Sequence, residues 1–214
     1  MEETVDIRGF YGESQLLYDS VLIEIVSRLN IIKKFKTLNN ERDPIENVKT
    51  RIKSPASMVE KLRSKGLVPM AENIPGNVMD AAGARVICTY VDDVYEVAKI
   101  LSAQQDIKVL EVKDYIKNPK PSGYRSYHMI VELPIYIGEE CHRVPAEIQI
   151  RTLSMDFWAS LEHQIRYKHD VPNQHIIASE LRRCADEVAS VEMNFLTIRD
   201  MINEIKNEKP NGGN

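Results

Sequence analysis

From Val144 to Arg151 the chain alternates without a break. Val144, Ala146, Ile148 and Ile150 are apolar, and Pro145, Glu147, Gln149 and Arg151 interleave with them. A strand turns successive side chains to opposite faces, so this segment has one core face and one face presenting a carboxylate, an amide and a guanidinium in a row. A bland sheet exposes polar side chains to solvent in the same way, so this strand alone does not single out a ligand face.

Three further runs, Arg85–Val91, Ile107–Val112 and Tyr127–Leu133, are short, rich in β-branched residues and bounded by turn signals. Val94, Val97, Ala98 and Leu101 predict a helix from about Asp92-Asp93. Gly138-Glu-Glu-Cys141 reads as a hairpin-like connection, and Pro119-Lys-Pro-Ser-Gly123 as a loop. Helices enclose this centre. Tyr18, Leu22, Ile25, Leu29 and Ile32 form a helical stripe ended by Asn39-Asn40 and Asp43-Pro44. Ser54-Pro55 is an N-cap followed by proline at the first helical position, with Gly66 as the stop. Met155, Trp158, Leu161 and Ile165 mark a helix from about Thr152. After a break at Val171-Pro172-Asn173, apolar residues run from Ile177 to Ile205 in steps of four and three. Such a seam demands a partner helix; the N-terminal helix is the cheapest candidate and another subunit the second. Lys209–Asn214 reads as a frayed tail. The fold class is α/β (α+β), a mixed sheet between helical layers.

A chain of 214 residues suits one domain with helical extensions, spanning 1–214 with additions at about 13–38 and 173–207. Net charge of −4 disfavours nucleic acid as the main partner. No apolar run approaches the roughly 20 residues of a membrane span. The opening Met1-Glu2-Glu3-Thr4 shows no signal-peptide pattern, and three scattered cysteines fit a reducing cytoplasm. Within the acidic whole, residues 49–65 carry six bases against one acid, and 113–128 four against one. Two basic stretches suggest an anion site built from two places.

Individual pieces carry chemistry only weakly. Tyr124, Ser126 and His128 share one face if extended, beside the lysine–proline loop, and suit a base and a sugar–phosphate. Asp80 lies among small residues before a strand; with Glu147 it makes the two-carboxylate set typical of magnesium on substrate phosphates. Arg51 and Lys53 precede a helix N-terminus that carries Lys61, a grip for polyphosphate. Neither a Walker A loop nor G-x-G-x-x-G occurs. Each piece also has a bland reading, as solvated faces or partly exposed strand starts. Together they are the inventory of an enzyme acting on two nucleotides.

Five ordered motifs then resemble one family: Arg51-Ile-Lys53…Ser57…Lys61, Asp80-Ala-Ala-Gly-Ala-Arg85, Lys113…Pro119-Lys-Pro-Ser-Gly-Tyr124-Arg-Ser-Tyr-His128, Glu147-Ile-Gln-Ile-Arg151 and Phe157-Trp-Ala-Ser-Leu-Glu162-His163. They look like the synthetase domain of the RelA/SpoT family, which makes the alarmones ppGpp and pppGpp, and most like its small RelP type, without a hydrolase domain. The resemblance implies a nucleotidyltransferase-like fold with about five mainly antiparallel strands. It implies transfer of the β,γ-pyrophosphate of ATP to the 3′-hydroxyl of GTP or GDP in the stringent response, with Mg2+. Carried over by motif, Arg51 and Arg85 stack on adenine, and Lys53 and Lys61, with Ser57 nearby, meet the ATP phosphates. Asp80 and Glu147 hold metal, Glu147 doubling as candidate base. Tyr124 stacks on guanine, His128 holds the guanosine nucleotide, and Lys113, Lys117 and Lys120 line the loop meeting its phosphates. Gln149 and Arg151 complete the guanosine-side candidates. A homotetramer in the cytoplasm is the expected form. Asn30, Asn47 and Lys49 depart from the activator cleft of the related RelQ type, which predicts weak or no activation by pppGpp. The rival readings are another acceptor, an adenosine nucleotide or the 3′ end of transfer RNA, and a non-catalytic nucleotide- or RNA-binding oligomer.

Overall fold

The structure, a computed structural model, describes residues 7–168 and 174–208. The break at 171–173 and the tail at 209–214 lie outside the described residues. A short helix α1 (Ile7–Tyr11) turns through Gly12, at φ +54°, into α2 (Ser14–Leu38). Strand β1 (Ile45–Ile52) leads to α3 (Pro55–Ser64), where the Ser54 hydroxyl accepts from the Ser57 amide. Then follow β2 (Ala82–Cys88), α4 (Val91–Ser102), β3 (Lys108–Asp114), β4 (Tyr127–Ile137), β5 (Glu140–Thr152), α5 (Leu153–Lys168) and α6 (Gln174–Glu208). The sheet order is β1-β2-β5-β4-β3. Only the β2–β5 pair is parallel. This bears out a mixed, mainly antiparallel five-stranded sheet flanked by helices.

The alternation in β5 does what its period dictates. Ala146, Ile148 and Ile150 are buried with Met129, Val131 and Leu133 of β4 and Ala82, Ala84 and Val86 of β2. Helices α2 and α4 cover that face with Val21, Ile25, Leu29, Val94, Val97 and Leu101. Each such side chain removed from water contributes about 1.5–3 kcal/mol, so the stripe rather than helix propensity holds α2 in place. The opposite face carries Lys49, Arg85, Gln149, His128 and Lys113 in one register row across all five strands. One row along lie Arg51, Gly83, Glu147, Ile130 and Glu111.

Three sequence expectations are corrected. Strand β1 was not among the four runs, because its exposed Glu46, Asn47, Lys49, Thr50 and Arg51 hide the period of an edge strand. The run expected at Arg85–Val91 starts and ends three residues earlier, since Val91 opens α4 and Asp93 caps it by accepting the Tyr90 amide. The N-terminal helix does not close the C-terminal seam: α2 is spent on the sheet, and α6 packs on α5. Trp158, Leu181 and Ala185 are buried there, with the indole N–H donating to the Leu181 carbonyl at 3.0 Å. From Val191 to Ile205 the seam is exposed. No described helix is long and apolar enough to cross a membrane.

Candidate active site

On the polar face, five side chains close a hydrogen-bonded ring. The Tyr124 hydroxyl meets His128 Nε2 at 2.8 Å, and His128 Nδ1 meets Glu147 Oε1 at 3.0 Å. Gln149 Nε2 donates to Glu147 Oε2 at 2.7 Å. An Arg151 terminal nitrogen donates both to Gln149 Oε1 at 2.7 Å and to the Tyr124 hydroxyl at 2.6 Å. The register makes the ring: His128 pairs directly with Gln149, and Glu147, Gln149 and Arg151 share one strand face. Tyr124 arrives from the loop before β4.

The ring sets the charges. Burial alone pushes the Glu147 pKa up; the hydrogen bond and charge of His128, the Gln149 amide and the Lys53 ammonium outweigh it and bring it down to about 2. Glu147 is therefore a carboxylate throughout the neutral range, directed at its neighbours. Arg151 is 4% exposed, and burial lowers its pKa. Its remaining nitrogens are spent on Ser126 Oγ at 3.3 Å and Asp156 Oδ1 at 3.2 Å. A guanidinium so fully engaged orients Tyr124 and Gln149.

Arg85 shares Asp156 with Arg151, at 3.3 Å. Arg51, Arg85, Tyr124, Gln149 and Arg151 line an open cavity of about 500 Å3, whose other wall is α5 at Ala159, Ser160 and Glu162–Gln164. Arg51, Arg85, Gly83, Glu147 and Gln149 also line an adjoining cavity of about 180 Å3. Gly83 matters there because a bare backbone opens the floor between Arg51 and Glu147.

A second cluster sits where β1 leaves the sheet. Asp80 Oδ2 takes Lys61 Nζ at 2.5 Å and Lys53 Nζ at 3.2 Å. Asp80 Oδ1 is buried and has no hydrogen-bond partner among the described residues. Lys53 thus pairs with Asp80 while its charge acts on Glu147, so the two predicted carboxylates flank one lysine. Ser57 lies in the first turn of α3, within 3.0 Å of the Ser54 hydroxyl.

The lysines of the loop side divide. Lys120 lies over the Tyr124 ring at 4.9 Å and the Tyr115 ring at 4.7 Å. Lys113 pairs with Glu111 at 3.1 Å, and Lys117 lies over Tyr95. Two participants escaped the sequence reading, and a third, Ser126, is turned to a different use. Tyr115 packs edge-on against Tyr124 and His128; Asp156 anchors both arginines; Ser126, fully buried, receives Arg151. Asp156 stands immediately before the last motif, and its acid within an otherwise apolar Met-Phe-Trp run was the available signal. Tyr115 had none beyond proximity in sequence, and Ser126, expected on a ligand face with Tyr124 and His128, is buried and bonded to Arg151 instead.

Comparison with known proteins gives these geometries a context. Residues 50–172 match the model described as "Region found in RelA / SpoT proteins". The chain is 40% identical to GTP pyrophosphokinase YwaC of Bacillus subtilis, over 93% of this chain and 95% of that one. It superposes on the crystal structure of small alarmone synthetase 1 from Bacillus subtilis bound to its product pppGpp, with TM-score 0.78 and 34% identity, over 87% of this chain and 94% of that one. The same synthetase bound to AMPCPP gives TM-score 0.72 and 31% identity over the same shares.

Proposed function

The chain belongs to the RelA/SpoT family, and from that premise we propose that it is a GTP pyrophosphokinase, moving the β,γ-pyrophosphate of ATP onto the 3′-hydroxyl of GTP or GDP and releasing AMP. The observation carrying the reading is the Tyr124–His128–Glu147–Gln149–Arg151 ring, which ties an acceptor-side aromatic to a carboxylate beside the Asp80–lysine cluster.

On this reading the donor nucleotide lies between β1, β2 and α5. Arg51 and Arg85 offer planar guanidinium groups to adenine in the shared cavity. Lys53 and Lys61 meet the phosphates, with Ser57 and the α3 N-terminus adjacent. The acceptor guanine stacks on Tyr124, whose angle Arg151 and His128 fix. Lys120, now over the two rings, and Lys113 and Lys117 serve the acceptor phosphates. Glu147, held ionised, accepts the hydrogen bond of the 3′-hydroxyl and takes its proton as the new O–P bond forms and the hydroxyl becomes acidic. Because His128 and Gln149 already bond to it, its direction is set before substrate arrives.

Magnesium fits these residues. Asp80 has an oxygen buried without a partner among the described residues, and Glu147 supplies a second carboxylate. Among the described residues no three His, Cys, Asp or Glu gather to cage an ion, and a magnesium held by one or two carboxylates plus substrate phosphates needs no such cage. When bound it neutralises charge on the transferring group. Exposed Phe35, Phe157, Phe195 and Ile202 on α2, α5 and α6 leave apolar area for self-association; the expected form remains a homotetramer in the cytoplasm. The test is to incubate the protein with magnesium and γ-labelled ATP, offering GTP, GDP, ATP and transfer RNA in turn as acceptors. Label in a guanosine product supports the reading. Label only in an adenosine product or transfer RNA replaces the acceptor, and label in none returns the chain to a binding role.

A further inference from the structure

The Lys53 carbonyl falls between two elements. Its own amide makes the last bond of the sheet edge, to the Ala81 carbonyl at 2.8 Å, and the Ser54 carbonyl already accepts the first helical bond of α3, from Met58. Neither sheet nor helix supplies a donor for the carbonyl between them. The Tyr11 hydroxyl does, at 2.6 Å, across 42 residues of sequence. Tyr11 is 1% exposed and stands edge-on to Phe10 at 5.0 Å and to Tyr18 at 5.6 Å. Gly12 makes its delivery possible: at φ +54° it reverses the chain from α1 into α2, with its amide bonded to the Arg8 carbonyl. Burial, then Tyr18 and then Asp80 push the phenol pKa well up, so the hydroxyl keeps its proton and donates.

What this bond holds is the donor-side cluster. Lys53 directly follows β1; its Nζ pairs with Asp80, and Asp80 precedes the Ala81 carbonyl that receives the Lys53 amide. Ser54, the next residue, caps α3, which carries Lys61 to the same carboxylate. Fixing one peptide therefore fixes a strand end, a helix start and two lysines together.

We propose that Tyr11 is a positioning residue for the donor-nucleotide half of the site, holding the Lys53 peptide so that Lys53, Asp80 and the α3 N-terminus keep their mutual placement. The proposal rests on the reading of that half as the ATP side. Tyr11 lies in α1, ahead of the stretch 50–172 that matches the family model.

The experiment compares Tyr11→Phe with wild type by calorimetry, titrating AMPCPP with magnesium and, separately, GDP. Phenylalanine keeps the ring among Phe10 and Tyr18 and removes only the hydroxyl. One lost part-buried hydrogen bond predicts AMPCPP binding about tenfold weaker, with GDP affinity within about twofold. Tyr18→Phe, which leaves the Tyr11–Lys53 bond in place, is expected to bind both ligands as wild type does. AMPCPP affinity within about twofold of wild type in Tyr11→Phe overturns the proposal. So does an equal loss for both ligands, or an equal AMPCPP loss in Tyr18→Phe, since each marks general softening. A wild type that binds AMPCPP yet transfers nothing in the label assay sinks the functional reading alone and leaves the Tyr11 result standing.

Discussion

Gly123 brings the acceptor loop close against α6, and replacing it with alanine gives a graded prediction. Its φ is +92°, and its amide closes a turn onto the Lys120 carbonyl at 2.8 Å. A Cβ there falls 2.6 Å from Ala185 Cβ, 3.1 Å from Arg182 Cδ and 3.4 Å from Arg182 Cα on α6. Arginine Cδ can swing aside; a helical Cβ and Cα cannot. Carbon atoms need about 3.5–4.0 Å, so loop and helix must part by about 1 Å. The left-handed backbone costs about 1–2 kcal/mol in alanine and the overpacking about 1–3 kcal/mol, together about 2–5 kcal/mol. Parting them also strains the bonds from Arg125 to the Ala185 carbonyl at 2.7 Å and to Asp186 at 2.9 Å, next to Tyr124. Denaturant unfolding of Gly123→Ala measures the stability loss, and GDP titration is expected to show weakened acceptor binding with AMPCPP binding retained. Gly138→Ala is the control: φ is +61° and nothing lies within 4 Å, so only the backbone cost of about 1–2 kcal/mol remains. Equal losses in the two variants, or a Gly123→Ala protein within about 0.5 kcal/mol of wild type, would refute the steric argument.

Arg151→Ala leaves Asp156 to Arg85 alone and takes the donor from Gln149 Oε1, and should destabilise the fold by about 1–3 kcal/mol, read by denaturant unfolding, with GDP affinity falling as Tyr124 loses its anchor. The folded Glu147 pKa, about 2, lies below its ordinary 4.5, so its stabilisation is complete above pH 4.5 and is lost as pH falls toward 2. Wild type should accordingly lose more stability than Glu147→Gln between pH 5 and about 3; parallel losses would show the ring bonds to be unimportant. At neutral pH Glu147→Gln should still bind both nucleotides and lose turnover, and near-normal turnover would remove it as the base. Chelating the metal should stop transfer and magnesium restore it. Added pppGpp should leave the early time course unchanged, whereas abolition of a lag would mean that a cleft whose Asn30, Asn47 and Lys49 depart from the related type's pattern still binds an activator.

What the sequence made legible followed from its periods. The two-residue alternation of 144–151 announced the one-sided sheet and placed Glu147, Gln149 and Arg151 on one face before any partner was known. The four-and-three spacing of Tyr18 to Ile32 gave α2 nearly to its ends, and Ser54-Pro55 located α3 because a cap and a proline act locally. What escaped depends on distant partners. Strand β1 exists because β2 pairs with it, and its charged residues carry no apolar period. The seam of α6 specifies a stripe without saying which helix meets it, and α5 takes only its first part. The ring was illegible for the same reason: that His128 faces Gln149 is a matter of register, set by the Gly138 hairpin, which alternation along one strand does not contain. Tyr11 is the extreme case, an aromatic in a five-residue helix whose hydroxyl serves a peptide 42 residues away.

The central claim is that a pyrophosphoryl group, rather than a single phosphoryl group, passes from ATP to a guanosine 3′-oxygen across this face. Quantifying adenosine products against guanosine products by chromatography, with wild type and Asp80→Asn side by side, tests it most directly. The account predicts one AMP for each 3′-pyrophosphorylated guanosine nucleotide in wild type, and neither product in the variant. Formation of ADP in place of AMP, or full activity retained by Asp80→Asn, would contradict it.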